Sequence, residues 1–212
     1  MSKYIKALIL TLFIVILGIF LIMQLDNMRL NSLDDKVDEI ILDMDSTRLF
    51  LLYNQVEGDE GNYCDLLEMR IESQAAKAYN LVKELEAGEK ASFLTSYDLL
   101  KRKYFYANLE LYLYMQDFEK QCKEKKINAI LFFYKDQVLC NQCLLQGTIL
   151  DKVRDKCPNT RIFAFPGDLE IDLIDLMMDK HKVTSIPSIV VNGKTRGFST
   201  EEEIEDEIGC VI

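Results

Sequence analysis

The chain has 212 residues, 49% of them hydrophobic, and a formal net charge of −10. That length holds one or two small domains, and that composition supplies a real core. The acidic balance, with a pI near 4.7, argues against nucleic acid as a partner, because phosphate binding needs a basic face.

The N-terminal segment Ala7 to Met23, ALILTLFIVILGIFLIM, carries no charge. As a helix it spans about 25 Å, enough with its flanks to cross a bilayer core. A cleaved signal peptide competes with this reading. Its apolar part is usually shorter and ends in a small-x-small site, whereas LIMQLDN follows here, so an uncleaved anchor is preferred. A buried soluble helix is the third alternative. Lys3, Lys6 and the terminal amine precede the span, while Asp26, Asp34 and Asp35 follow it with Arg29 the only early base. Basic residues stay on the cytoplasmic side, which predicts a single-pass cell-membrane protein with its N-terminus inside and the rest outside.

Residues 32 to 124 read as helices. Ser32 and Asp35 resemble a capping box, after which Val37, Ile40, Ile41 and Met44 line one face. A second helix is expected from Asn62, carrying Leu67, Ile71, Ala75, Ala78, Val82 and Leu85 and ending at Gly88. A third carries Phe93, Tyr97, Leu100, Tyr104, Ala107, Leu111, Tyr114 and Phe118 in a four-three rhythm. That seam reads as a packing face rather than a ligand stripe. A short link over 88–91 makes the second and third helices antiparallel neighbours.

Outside the cytoplasm, an even set of six cysteines favours disulfides over thiols or metal. Cys64 and Cys122 fall at the same open end of the helical hairpin. They are offset by one or two turns if both helices are straight, so the disulfide expected between Cys64 and Cys122 needs a loop or a shifted hinge. Two separately buried thiols are the alternative.

After Lys126 the pattern changes. NAILFFY is a short apolar run, as in a strand covered on both faces. QCLLQGTILDKVRDK has helical spacing through Leu145, Ile149 and Val153. TRIFAF is a second strand closed by Pro166 and Gly167, and LEIDLIDLMMDKHKV is an amphipathic helix. PSIVVNGKTRGF reads as a hairpin turning at Asn192-Gly193. A last helix runs through TEEEIEDEIG, whose charges form a solvated face. The order is β-α-β-α-β-β-α.

A CxxC between the first strand and its helix, followed by SIPSIVVNG opening a hairpin, resembles the thioredoxin superfamily over residues 127–212. The resemblance implies an α/β thioredoxin-like fold, with the third helix standing where the family's helix before the active-site strand lies. It also implies a cis Ile186-Pro187 bond facing the cysteines, with the backbone at Ile186 pairing with an extended substrate segment. On "SIP" alone, Pro187 also fits an ordinary loop-to-strand proline. In the family's fold the ends of the CxxC helix and the final helix share one face of the sheet, so Cys157 and Cys210 form a candidate disulfide; isolated thiols or a bridge to another chain remain open. The chain departs from the family in three places. Leu139 stands where Trp is common and the chain has no Trp; NAILFFY has no acid; and YKDQV makes the approach loop slightly long.

Cys140 is expected at the mouth of the helix beginning near Gln142, where unsatisfied N–H groups and the dipole stabilise a thiolate. That species attacks disulfides. Cys143 lies one turn along the same face, placed to resolve the mixed disulfide. Zinc is disfavoured, because the single histidine, His181, sits at a helix end and no second CxxC completes four ligands. The expected organisation is an anchor over 1–25, a helical segment over 26–126 and a thioredoxin-like domain over 127–212. The expected activity is thiol–disulfide exchange on protein substrates with no bound cofactor. The rival is a redox-inactive binding or assembly module in which the CxxC is a staple.

Overall fold

The computed structural model describes residues 3–57, 63–91, 97–123, 127–135 and 140–210. It is a mixed α/β structure, mostly helical, with one four-stranded sheet.

The first helix, α1, runs unbroken from Lys3 to Glu57, about 80 Å at 1.5 Å per residue. From Lys3 to Leu25 every residue is exposed apart from the half-buried Gly18. It is the one described helix long and apolar enough to span a membrane. An exposed apolar cylinder of that length is what a bilayer covers. The expected helix start at Ser32 does not occur, since α1 passes straight through it. Residues 19–57 contain neither glycine nor proline, so nothing interrupts the hydrogen-bond ladder. Leu33, Val37, Ile40 and Met44 are buried along the same helix, which draws the part of α1 beyond the apolar span into the core.

The second helix, α2, spans Tyr63–Ala91, and the third, α3, spans Asp98–Gln121. Both pack against α1 and against each other. The predicted end of α2 at Gly88 is also corrected: Gly88 lies inside the helix. A Cβ there would meet Tyr97 Cε1 at 3.0 Å and Leu33 Cδ1 at 3.1 Å, so this glycine serves a three-helix close approach rather than a stop. The predicted start of α2 at Asn62 and the seam residue Phe93 lie outside the described residues. The rest of the α3 seam, Tyr97 through Phe118, is buried as its spacing implies. Ion pairs stitch the surface: Lys77 to Glu39 and Asp43 at 2.8 and 2.7 Å, and Lys103 to Asp34 and Asp38 at 2.6 and 2.9 Å. Such exposed pairs orient helices more than they stabilise them.

The C-terminal part follows the order β1 (Asn128–Tyr134), α4 (Asn141–Lys156), β2 (Thr160–Pro166), α5 (Asp172–Lys180), β3 (Ser188–Val191), β4 (Lys194–Arg196) and α6 (Glu201–Ile208). The sheet order is β2-β1-β3-β4, with β1 and β2 parallel and the other pairs antiparallel. Ile130, Phe132 and Tyr134 of β1 face α4 and α6; Leu131 and Phe133 face α5 and the helical segment. Both faces being covered accounts for the unbroken apolar run. Phe105 and Tyr112 of α3 meet Phe165 and Phe163 of β2 edge-on at 5.7 and 5.3 Å. The helical segment and one sheet face therefore share a single core.

Local signals explain the ends. The hairpin turns on Asn192 and Gly193 at φ 49° and 77°, as a type I′ turn requires. Helix α6 opens on a Thr200–Glu203 capping box and closes on Gly209 in the left-handed region, the pairing that fixes short helices. Helix α5 is shorter than LEIDLIDLMMDKHKV suggested. Ile171 at its start is extended, and Lys182 just beyond its end takes φ 55°.

Candidate functional site

Cys140 is the N-cap of α4, with φ −142°. The backbone N–H of Cys143 donates to Cys140 Sγ at 3.1 Å. A sulfur in that place takes one of the donors a helix start leaves over, and no acidic side chain stands in the first turn of α4 to oppose a negative charge there. Cys140 is half-buried, whereas Cys143 is 3% exposed. Cys143 Sγ accepts the N–H of Lys135 at 3.5 Å. The two cysteines are joined as a disulfide with Cα atoms 5.3 Å apart. Cys140 is thus the more exposed of the two and caps the helix, and its companion is sheltered one turn on. Leu139 and most of YKDQV lie outside the described residues.

The Ile186–Pro187 bond is cis. Ser188 pairs with Phe133 across the β1–β3 ladder, so Pro187 falls opposite Tyr134, at the end of β1 from which the chain leads to Cys140. The same end holds Gly167, whose N–H donates to Tyr134 O at 2.7 Å. A Cβ on Gly167 would lie 2.6 Å from Ile186 Cδ1, so glycine here leaves room for the Ile186 side chain to lie across it.

The remaining cysteines also pair. Cys64, in the first turn of α2, is joined to Cys122, the C-cap of α3, with Cα atoms 5.8 Å apart. Cys157, the C-cap of α4, is joined to Cys210 just beyond α6, with a Cα separation of 6.0 Å. Each long bridge ties two helix ends and stands apart from the CxxC. His181 is the C-cap of α5 and half-buried; burial, then the Lys180 charge, pushes its imidazole below the usual value. Among the described residues, no cluster of three or more His, Cys, Asp or Glu side chains is arranged to hold a metal.

Two features were missed in the sequence. Gln146, one turn past Cys143 and fully buried, accepts the Ser199 N–H at 2.8 Å and so ties α4 to the loop before α6. Asp151, further along α4, is gripped from α2: Lys83 donates to it at 2.8 Å and the Tyr79 hydroxyl also donates to it. The Arg154 guanidinium covers the Tyr79 ring at 3.6 Å, and burial followed by the Asp151 contact raises the Tyr79 phenol above its usual value. This cluster holds the CxxC helix against the helical segment. No spacing rule signals it, because its members are about 70 residues apart in the chain.

Comparison with family models, with curated proteins and with solved structures finds no match to this chain.

Proposed function

We propose that this chain is a membrane-tethered thiol–disulfide oxidoreductase with a thioredoxin-like domain, acting on protein cysteines outside the cytoplasm. The observation that carries the reading is the asymmetry of the CxxC: Cys140 caps α4 and accepts the Cys143 N–H at 3.1 Å, while Cys143 is 3% exposed. The β2-β1-β3-β4 order, with α4 and α6 on one face and α3 and α5 on the other, supports the fold assignment. So does the cis bond before Pro187 at the same end of the sheet. Pairing of all six cysteines favours an oxidising compartment. With lysines before the span and acids after it, that compartment lies opposite the N-terminus.

In the dithiol form, the Cys140 thiolate attacks one sulfur of a substrate disulfide. A Cys140–substrate disulfide forms and the other substrate sulfur leaves as a thiolate, which takes a proton. Cys143 then loses its proton and attacks Cys140 Sγ. The substrate's second thiolate is released and takes a proton, balancing the one Cys140 gave up on forming its thiolate, and the Cys140–Cys143 disulfide closes. The substrate gains two electrons and two protons, and the pair loses them; the reverse sequence oxidises a substrate dithiol.

The test is trapping. Full-length Cys143→Ser in membranes should accumulate mixed disulfides with other proteins, and Cys140→Ser should accumulate none. Absence of adducts from Cys143→Ser, or a reduction potential for the pair below about −300 mV, the range of inert bridges, returns the chain to the assembly-module reading.

A further inference from the structure

We infer that a cavity between α2, α4 and the sheet is a binding site for a small, flat, largely apolar molecule of one or two fused rings carrying a hydroxyl or carbonyl group. The cavity has a volume of about 330 Å³, at the lower end of the range that small-ligand sites occupy. Its floor is Phe132 with Tyr134, whose rings stack at 5.6 Å and 24°. Val82 and Tyr104 wall it from the helical segment, and Ile162 closes it on the β2 side. Cys143 and Gly147 line it from α4. The space is a cleft that opens to solvent past Lys83, Leu144 and Thr148, all exposed, so a molecule can enter it without the helices parting. Its apolar walls favour apolar surface taken from water.

The glycine is the independent observation. Gly147 sits in the interior of α4, where glycine disfavours the helix relative to alanine. Nothing in the packing demands it. An added Cβ would find only Phe132 Cε1, at 3.9 Å, an ordinary contact. A methyl group would therefore fit, favour the helix and begin to fill the void. Its absence keeps the space over the stacked rings open. Lys83 and Asp151, paired at 2.8 Å, stand with Tyr79 and Glu86 in the polar part of the lining, where a hydroxyl or carbonyl finds both donors and acceptors.

The site reaches Cys143 from the β2 side, whereas Pro187 belongs to the β3 side. A molecule held here and a polypeptide approaching Pro187 thus come from opposite sides of the pair. The inference does not depend on the thiol chemistry, and its test reads binding alone.

The test uses the full-length, disulfide-bonded chain in lipid nanodiscs, with empty nanodiscs as reference, and equilibrium dialysis against 2-naphthol. One saturable site per chain is expected, weakened about tenfold or more by Gly147→Leu. Gly147→Ala should raise the thermal midpoint and weaken binding severalfold, a combination that a mere packing defect would not produce. Three results overturn the inference: no saturable uptake above empty nanodiscs, uptake unchanged in both variants, or equal competition by 1-decanol, which would mark the space as a chain-shaped groove.

Discussion

Asn108 of α3, 2% exposed, donates from Nδ2 to the carbonyl oxygen of Ala164 at 3.0 Å. Ala164 belongs to β2, the edge strand of the sheet beside β1. An edge strand offers unpaired backbone groups that must be covered or satisfied. Here a helix from the preceding segment does both, with Phe105 against Phe165 alongside. Asn108→Leu keeps the volume and removes the donor, leaving a partly buried carbonyl without this partner. The expected cost is about 1–3 kcal/mol, read as a lower denaturant midpoint with an unchanged slope. A neutral result would mean that packing alone seals this edge.

Gly88 is the second place where a small change should act strongly. An added methyl gains about 1 kcal/mol of helix propensity. It also presses on Tyr97 and Leu33, which are 1% and 6% exposed and have little room to retreat. Overpacking typically costs about 1–3 kcal/mol. Gly88→Ala should therefore be destabilising on balance and Gly88→Val more so, the reverse of the stabilisation expected for Gly147→Ala. Thermal midpoints of the three variants, measured side by side, separate a glycine kept for close packing from one kept for space.

The alkaline limit of stability should be set in part by buried phenols. Burial, and secondarily the charge of Glu86, holds the Tyr104 hydroxyl well above its ordinary value of 10.0. Burial and the Glu110 contact do the same for Tyr114. A folded-state value above the unfolded one gives stabilisation that is complete below about pH 10 and lost as pH rises beyond it. Tyr104→Phe keeps the ring and removes the ionisable group. The loss of stability between about pH 10 and 12 should then be shallower than in the parent. Unfolding followed by circular dichroism across that window checks it, and an unchanged slope rules Tyr104 out as a contributor.

Much of this architecture was legible in the sequence, and the exceptions share a cause. The strands of the C-terminal part, its helix order and the Asn192-Gly193 turn follow from short-range patterns: an apolar run, helical spacing, two residues suited to positive φ. The buried seam of α3 likewise follows from its rhythm. The misreadings came where a local signal was outweighed by something distant. Ser32 and Asp35 look like a helix start, but the hydrogen-bond ladder of α1 continues through them and Leu33, Val37 and Ile40 pack further on. Gly88 looks like a stop, and only Tyr97 and Leu33 reveal why it is glycine. The cavity beside Cys143 draws its walls from five elements, so no single stretch of sequence outlines it. Gly147 was its one local trace, a glycine in mid-helix with no turn to make.

The three disulfides should differ in what their removal costs, and the difference separates a working pair from a staple. A cross-link stabilises chiefly by restricting the unfolded chain, and more for longer loops. Cys64–Cys122 and Cys157–Cys210 span separations of 58 and 53 residues, for which loop closure implies about 4 kcal/mol each. Cys140–Cys143 spans three, for which the same relation implies only about 2 kcal/mol. Replacing both members of either long pair by alanine should therefore lower the denaturant midpoint markedly while leaving the proposed disulfide exchange by the folded fraction intact. Replacing Cys140 and Cys143 should do the opposite, with a small loss of stability and complete loss of exchange. A large stability loss from the CxxC double variant, with no exchange activity in the parent, would identify that pair as structural. Two bridges already tie the helix ends, so a third spanning one turn of α4 adds little cohesion. Its place at the half-exposed mouth of that helix suits turnover better than support.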